Sequence, residues 1–388
     1  MNILFLLRLW PVYGGGETVT LCLANEMSKR GWNVGILYFK DNLRKELPYI
    51  HPNINATKIE NIDCDEYHQN HHDAAKVIQA TKEYICKYST NVIINQWWDV
   101  EYIKGLKGYK NVKIIKCLHT SFYSPRFDKT DIKTILKKAF KPIYIYRYKH
   151  FCIKQVTDFL PYVDKYVFLS ESFQQQYQEM SHDDNKNRKL ISIPNPATYL
   201  KTIPETDLKN KENIVLVVAR MEERVKCLSK VLKTWKLIEE QEDLQSWKLI
   251  MVGEGRDLAY YKQLSSDLAL KNIFFEGFKN PESYYKKAKI FLMTSAVEGF
   301  GMTLVEAQQF GVTPIVMNTF LALHDVIKHN YNGFITPPND IPQFAKYTME
   351  LMRNEELRNK LSYNCLKFSQ QFLVNKIVDK WASLIQNL

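Results

Sequence analysis

The feature that most constrains this chain is a strand–turn–helix pattern around residues 290–310. Ile290-Phe291-Leu292-Met293 is a short apolar run of the kind buried on both faces of a sheet. Glu298-Gly299-Phe300-Gly301 follows, and Met302-Thr303-Leu304-Val305-Glu306-Ala307 opens a helical pattern. A strand that runs through a glycine turn into a helix aims backbone N–H groups at an anion. The glycines let the backbone approach without a Cβ in the way. Glu298 and Glu306 flank this turn, and as carboxylates they would repel a phosphate. They suit hydroxyls, because an ionised carboxylate accepts from two O–H donors. Phosphate between and hydroxyls on either side describe a nucleotide-sugar.

The same alternation runs along the chain. Strands are expected at 3–7, 34–38, 91–95, 112–117 and 166–169, with helices at 17–30, 74–88 and 172–177. Residues 191–206 break the pattern with Pro194, Pro196 and Pro204, the punctuation of a linker. The alternation then restarts with strands at 214–218, 248–252, 273–275, 290–294 and 313–317. Helices at 230–239, 257–268, 282–287 and 304–310 lie between them, and a helical tail covers 355–388. This predicts an α/β chain of two Rossmann-like, doubly wound parallel-sheet domains facing a cleft, covering 1–195 and 196–369. A length of 388 residues suits two domains. Open sheets of this kind bind ligands at the carboxyl ends of their strands.

Seven scattered cysteines without a C-x-x-C pair argue against a disulfide framework or zinc knuckle and fit a reducing compartment. The apolar start, Met1 to Leu7, is too short for a signal peptide and reads as the first strand. No run approaches the length of a membrane span. The net charge of +11 is uneven. Residues 133–154 hold lysines and arginines among Phe, Ile and Tyr with no acidic residue. Two readings stand: a solvated helix whose lysine stems cover apolar surface, or a peripheral contact with an anionic membrane. No nucleic-acid motif accompanies the charge, so nucleic acid is not expected as a partner.

Several groups fall at strand ends. Gly14-Gly15-Gly16 lies between the first strand and first helix, without dinucleotide or P-loop spacing. It is either a tight turn or a place where donor and acceptor approach. Arg220 and Lys226 follow the 214–218 strand; they are two surface cations or a pair that steadies a leaving diphosphate. Gly253-Glu254-Gly255 could admit a nucleoside, and Glu276-Gly277-Phe278 could present backbone groups to a base. His119 follows the 112–117 strand; it is a packing residue or a donor to a sugar hydroxyl. His68, His71 and His72 lack partner ligands at useful spacing and read as a surface loop.

The ordered series resembles a family 4 retaining glycosyltransferase of the GT-B type, the glycosyl transferases group 1. It runs from Ile193-Pro194-Asn195-Pro196 through Ala219-Arg220, Lys226, Gly253-Glu254-Gly255, Glu276-Gly277 and Glu298-Gly299-Phe300-Gly301 to Glu306 and Asn332-Gly333. The resemblance implies that Glu298 contacts the donor sugar, Glu306 the ribose, and Arg220 and Lys226 the diphosphate. The backbone of Gly299, Phe300, Gly301, Met302 and Thr303 would assist. His119 would lie near the transferred sugar, so Glu298, His119, Arg220 and Lys226 form the catalytic set. Gly15, Gly16, Gly253, Glu254 and Phe278 complete the donor-binding set. It implies no cofactor and no metal, a C-terminal helix (370–388) packing back on the first domain, and a nucleoside-diphosphate sugar, UDP-linked, as co-substrate. A hexose would pass with retention to an oligosaccharide or lipid-linked acceptor in surface polysaccharide or glycolipid synthesis. The enzyme would be cytoplasmic, peripheral on the cytoplasmic face of the inner membrane. The sequence departs from the family at Cys227, where glycine often follows the lysine, at Pro196, and at Thr120 after His119. A nucleotide-sugar epimerase on the same fold and a non-catalytic binding protein are the rival readings.

Overall fold

The computed structural model describes residues 1–11, 15–41, 49–62, 71–125, 140–184 and 188–388. Gly14, His68 and residues 133–139 lie outside the described residues. The chain forms two compact units. Unit 1 comprises Met1–Thr198 and Val374–Leu388, and unit 2 comprises Tyr199–Leu373.

Unit 1 contains β1 (Asn2–Leu6), β2 (Leu9–Trp10), β3 (Asn33–Tyr38), β4 (Lys40–Asp41), β5 (Ile54–Lys58), β6 (Val92–Asn95), β7 (Lys113–Cys117), β8 (Lys165–Phe168) and β9 (Leu190–Ser192). Seven of these form one parallel sheet in the order β5-β3-β1-β6-β7-β8-β9, and β2 pairs with β4. The central strands are mostly apolar, as expected of strands buried on both sheet faces; Leu4, Phe5 and Leu6 are fully buried. Edge strand β5 is largely exposed and polar, so it carries no apolar signature in the sequence. Strand β9 occupies the start of the expected linker.

Unit 2 contains β10 (Ile214–Val218), β11 (Lys248–Val252), β12 (Ile273–Gly277), β13 (Ile290–Met293), β14 (Thr313–Met317) and β15 (Phe334–Thr336). They form a parallel sheet in the order β12-β11-β10-β13-β14-β15. Both sheets are doubly wound. The winding reverses between β1 and β6 in unit 1 and between β10 and β13 in unit 2, the position where open α/β sheets leave a crevice. The unit 2 core gathers Trp235, Trp247, Tyr261 and Phe344 around the strands.

The helical tail expected over 355–388 is two helices, Glu355–Ser369 and Val374–Gln386, separated by a 3-10 turn at Gln370–Phe372. The chain changes units here. Phe372 stays in unit 2 against Phe300 and Phe368. The last helix joins unit 1, where it buries Ile377, Val378 and Trp381. Arg30 donates to the Asp379 carboxylate at 2.6 Å and to the Asn375 carbonyl at 2.8 Å. Among the described residues no helix is long and apolar enough to cross a membrane.

Candidate active site

In unit 2 the chain leaves β10 and makes one helical turn, Glu223–Lys226, that the sequence pattern did not reveal. Lys226 sits in its last residue position, and Cys227 ends it in the left-handed conformation with φ of 51°. That backbone is unusual for a residue with a side chain and natural for glycine. Three hydrogen bonds fix the turn to the loop after β13. Thr294 Oγ1 donates to the carbonyls of Lys226 and Cys227, both at 3.0 Å, and the Ala296 amide donates to the Val225 carbonyl at 2.8 Å. They bring Lys226 Nζ to 2.5 Å from Glu298 Oε1. The two side chains are only 17% and 14% exposed, so solvent screens their attraction weakly. Residues 72 positions apart in sequence thus form one charged pair at the strand ends.

Arg220 is different. Its side chain is 64% exposed, and it approaches Glu222 at 3.5 Å. Arg256 donates to the same carboxylate at 2.9 Å. Arg256 also approaches the Asp257 carboxylate at 3.7 Å, so two guanidinium groups meet two acids here. Sequence reading missed Arg256, whose available signal was its place directly after the Gly253-Glu254-Gly255 turn.

The glycines of that turn have a packing cause. A Cβ on Gly253 would lie 2.0 Å from the Ala219 carbonyl oxygen, and one on Gly255 would lie 2.4 Å from that of Met221. The loops after β10 and β11 run against each other, with the Met221 amide donating to the Glu254 carbonyl at 2.8 Å. Gly277 turns with φ of 70°, and Phe278 behind it is 60% exposed.

Gly301, in the left-handed conformation with φ of 79°, precedes the helix Met302–Gln309. No side chain caps this helix. Its leading amides, those of Met302 and Thr303 included, have no carbonyl within the helix to receive them. The N-terminal end of the dipole, where an anion is favoured, follows Glu298 by four residues. The Phe300 side chain points elsewhere, buried against Phe372, so only its backbone faces the turn. Glu306 is nearly buried and accepts from the Tyr285 hydroxyl at 2.9 Å. Burial, then the Glu306 charge, holds the Tyr285 phenol protonated, far above its ordinary value. Tyr285 carries no sequence signal of this role, since its helix spacing reads as core. Asn332 is buried, donating to Gln308 Oε1 at 2.6 Å and to the Val326 carbonyl at 3.1 Å, which ties the loop before β15 to the 302–309 helix.

In unit 1, Gly15 and Gly16 open the helix Gly15–Lys29. A Cβ on Gly16 would lie 2.5 Å from the Trp97 ring and 3.4 Å from that of His119. Trp97 and His119 pack with centroids 5.0 Å apart, and the Arg8 guanidinium lies 5.2 Å above the Trp97 ring. His119 Nε2 is hydrogen-bonded to Gln96 Oε1, an arrangement that puts the ring proton on Nε2. His119 Nδ1 and Gln96 Nε2 are both buried without a hydrogen-bond partner among the described residues. Burial, and secondarily the Lys116 charge, pushes the His119 pKa down to about 3, so the ring is neutral. Lys116 is itself pushed down to about 8 by burial, and donates to the Gln96 carbonyl at 3.1 Å. A neutral ring leaves one acceptor, Nδ1, beside the Gln96 amide donor, and both are shielded from solvent. Gln96 was not singled out in the sequence; its signal is a polar residue directly after a buried strand. Among the described residues no three acidic, His or Cys side chains converge to hold a metal ion.

Residues 200–368 match the family described as glycosyl transferases group 1. The chain carries a group 1 glycosyl transferase domain. The match lies within unit 2 and contains the Lys226–Glu298 pair. An uncharacterized glycosyltransferase of Haemophilus influenzae is 26% identical over 224 residues. That stretch spans 57% of this chain and 61% of that protein. The Campylobacter jejuni GalNAc-α-(1→4)-GalNAc-α-(1→3)-diNAcBac-PP-undecaprenol α-1,4-N-acetyl-D-galactosaminyltransferase is 25% identical over 291 residues, 73% of this chain and 76% of that one. The structure of HepE from Anabaena in complex with UDP superposes with a TM-score of 0.73 at 18% identity, covering 100% of both chains. The fold is GT-B.

Proposed function

We propose that this group 1 protein transfers a hexose from a UDP-linked sugar to an oligosaccharide or lipid-linked acceptor, with retention, in the synthesis of a surface polysaccharide or glycolipid. The observation that carries the reading is the Lys226–Glu298 pair together with the uncapped helix at Met302. A cation and a helix N-terminus receive the diphosphate, and the carboxylate receives sugar hydroxyls. Lys226, with Arg220 and the 299–303 backbone, stabilises the charge that grows on the leaving diphosphate, so no metal ion is required. Glu306 holds the ribose, and the Gly253–Glu254 turn with Phe278 borders the base. In unit 1, His119 and Gly16 serve the transferred sugar. The Campylobacter relative's undecaprenol-linked acceptor supports a lipid-linked acceptor here, and UDP in the HepE complex supports the choice of nucleotide.

The test is thermal stabilisation by UDP, GDP and ADP in the presence of a chelator, on wild type and Glu306→Ala. Turnover of UDP-sugars is then followed with and without acceptor. A ligand at 100 times its dissociation constant adds about 2.7 kcal/mol. Stabilisation by UDP alone, lost in the variant, is the expected result. No stabilisation by any nucleotide overturns the reading. Consumption of UDP-sugar without an acceptor, yielding another UDP-sugar, replaces it with an epimerase.

A further inference from the structure

Arg8 follows the carboxyl end of β1, the strand at which the winding of the unit 1 sheet reverses. Its backbone is pinned, because its carbonyl accepts from the Phe39 and Lys40 amides at 3.1 and 3.0 Å. Its side chain is half-buried, with the guanidinium 5.2 Å from the centroid of the Trp97 ring. Trp97 follows β6, His119 follows β7, and their rings pack 5.0 Å apart. The ends of β1, β6 and β7 therefore gather a cation, an aromatic wall and the neutral His119 ring within unit 1, where open sheets of this kind take their ligands.

What this guanidinium lacks is an acceptor. Arg30, Arg256 and Arg353 donate to carboxylates, and Arg358 donates to carbonyls. Among the described residues Arg8 has no hydrogen-bond acceptor and no ion pair; its side-chain contact is the Trp97 ring. Stacking uses one face of a guanidinium and none of its five N–H donors, which lie in the plane of the fork. A half-buried fork held flat against an aromatic ring suits planar, bidentate recognition of a carboxylate or phosphate. The donor diphosphate already has Lys226, Arg220 and the 299–303 backbone of unit 2, so a further cation in unit 1 answers to a different anion. We propose that Arg8 binds a carboxylate or phosphate group on the acceptor, which makes the acceptor an anionic saccharide rather than a neutral one. Trp97 holds the fork in place for it. This rests on the transfer reaction proposed above and adds the charge of the acceptor.

The experiment is a saturation-transfer NMR titration of the full chain, with and without saturating UDP, against two matched pairs of probes. One pair is methyl glucuronide and methyl glucoside; the other is N-acetylglucosamine joined to an octyl chain through a phosphodiester and through a plain glycosidic bond. The variants are Arg8→Gln, which removes the charge, and Arg8→Lys, which keeps the charge without the fork; the melting curve of each is compared with wild type first. Wild type is expected to bind the charged member of a pair about tenfold or more tighter than its neutral partner. Arg8→Gln is expected to bind both alike, and Arg8→Lys to keep part of the preference. A preference confined to the glucuronide assigns an acidic sugar, and one confined to the phosphodiester assigns a phosphate-linked acceptor. Equal binding of charged and neutral probes, or binding of none of the four, overturns the proposal. So does a preference that Arg8→Gln retains. UDP stabilisation is expected to be the same in Arg8→Gln as in wild type; its loss would give Arg8 to the donor diphosphate instead. Absence of UDP stabilisation in wild type itself sinks the transferase reading, while the titrations without UDP still report the charge preference.

Discussion

Lys226 is assigned two successive partners, Glu298 in the empty enzyme and a diphosphate in the complex, and this can be taken apart by substitution. Met at 226 keeps the length of the stem and removes the charge; Gln at 298 keeps the shape of the carboxylate. The pair is 2.5 Å long, with side chains 17% and 14% exposed. Exposed pairs contribute about 0–1 kcal/mol, and breaking buried ones costs about 3–5 kcal/mol. This pair lies between those cases, so Lys226→Met is expected to lower the stability of the free protein by about 1–3 kcal/mol, because Glu298 loses its cation. The double variant, with no charge left at either position, recovers most of that loss. UDP affinity separates the roles. A hydrogen bond to a charged group is worth about 1.5–3 kcal/mol, so Lys226→Met weakens UDP binding about 10- to 150-fold. Glu298→Gln removes a negative charge beside the diphosphate, so UDP binds no more weakly while sugar transfer collapses. Calorimetric titration of UDP into the four proteins, with melting curves of each alone, makes the comparison. A Lys226→Met protein that binds UDP as wild type does would refute the assignment and leave the lysine as a structural partner of Glu298.

Three further outcomes are expected. Gly253→Ala places a methyl group 2.0 Å from the Ala219 oxygen at a φ of 135° and is expected to cost about 3 kcal/mol or more; Gly31→Ala, at a φ of 79° with open space around it, should cost about 1 kcal/mol, and equal melting temperatures would contradict the packing account. Tyr285→Phe withdraws the hydroxyl that Glu306 accepts from and is expected to lower stability by about 1–3 kcal/mol in thermal unfolding; no loss would show that the 2.9 Å contact contributes nothing. His119 is depressed to about 3 in the folded protein against an ordinary value near 6.5, so between those pH values the unfolded chain binds a proton that the folded chain does not. Stability from this group is therefore complete above about pH 6.5 and declines as pH falls toward 3; His119→Leu should flatten the melting temperature over that window, and parallel wild-type and variant curves would rule out the buried neutral ring.

The strands that make up most of both sheets were legible because a doubly wound parallel sheet buries its strands on two faces, which leaves short apolar runs. Edge strand β5 escaped for the complementary reason: it faces solvent and is polar. The glycine turns at 253–255 and 299–301 were visible as punctuation, but their causes differ. Gly253 and Gly255 admit a neighbouring backbone, whereas Gly301 supplies a left-handed step into a helix. Sequence alone does not separate these causes, because what a Cβ at Gly253 or Gly255 would strike belongs to a loop distant in the chain. Cys227 was noted only as a departure from a family habit; the left-handed backbone there gives that habit its physical basis.

By itself, then, the sequence determined the α/β architecture, the places where strands hand over to turns, and the residue types at those turns, all of which follow from local periodicity and backbone preference. Tertiary structure alone decided which of those residues meet. Lys226 reaches Glu298 only because Thr294 and Ala296 stitch one strand-end loop to the next, and Glu306 meets Tyr285 only because the helix after β13 packs beside the one before it. The bond between His119 and Gln96 likewise depends on β6 and β7 being neighbours in the sheet. Pairing across dozens of residues is set by sheet order and burial, which no window of sequence contains.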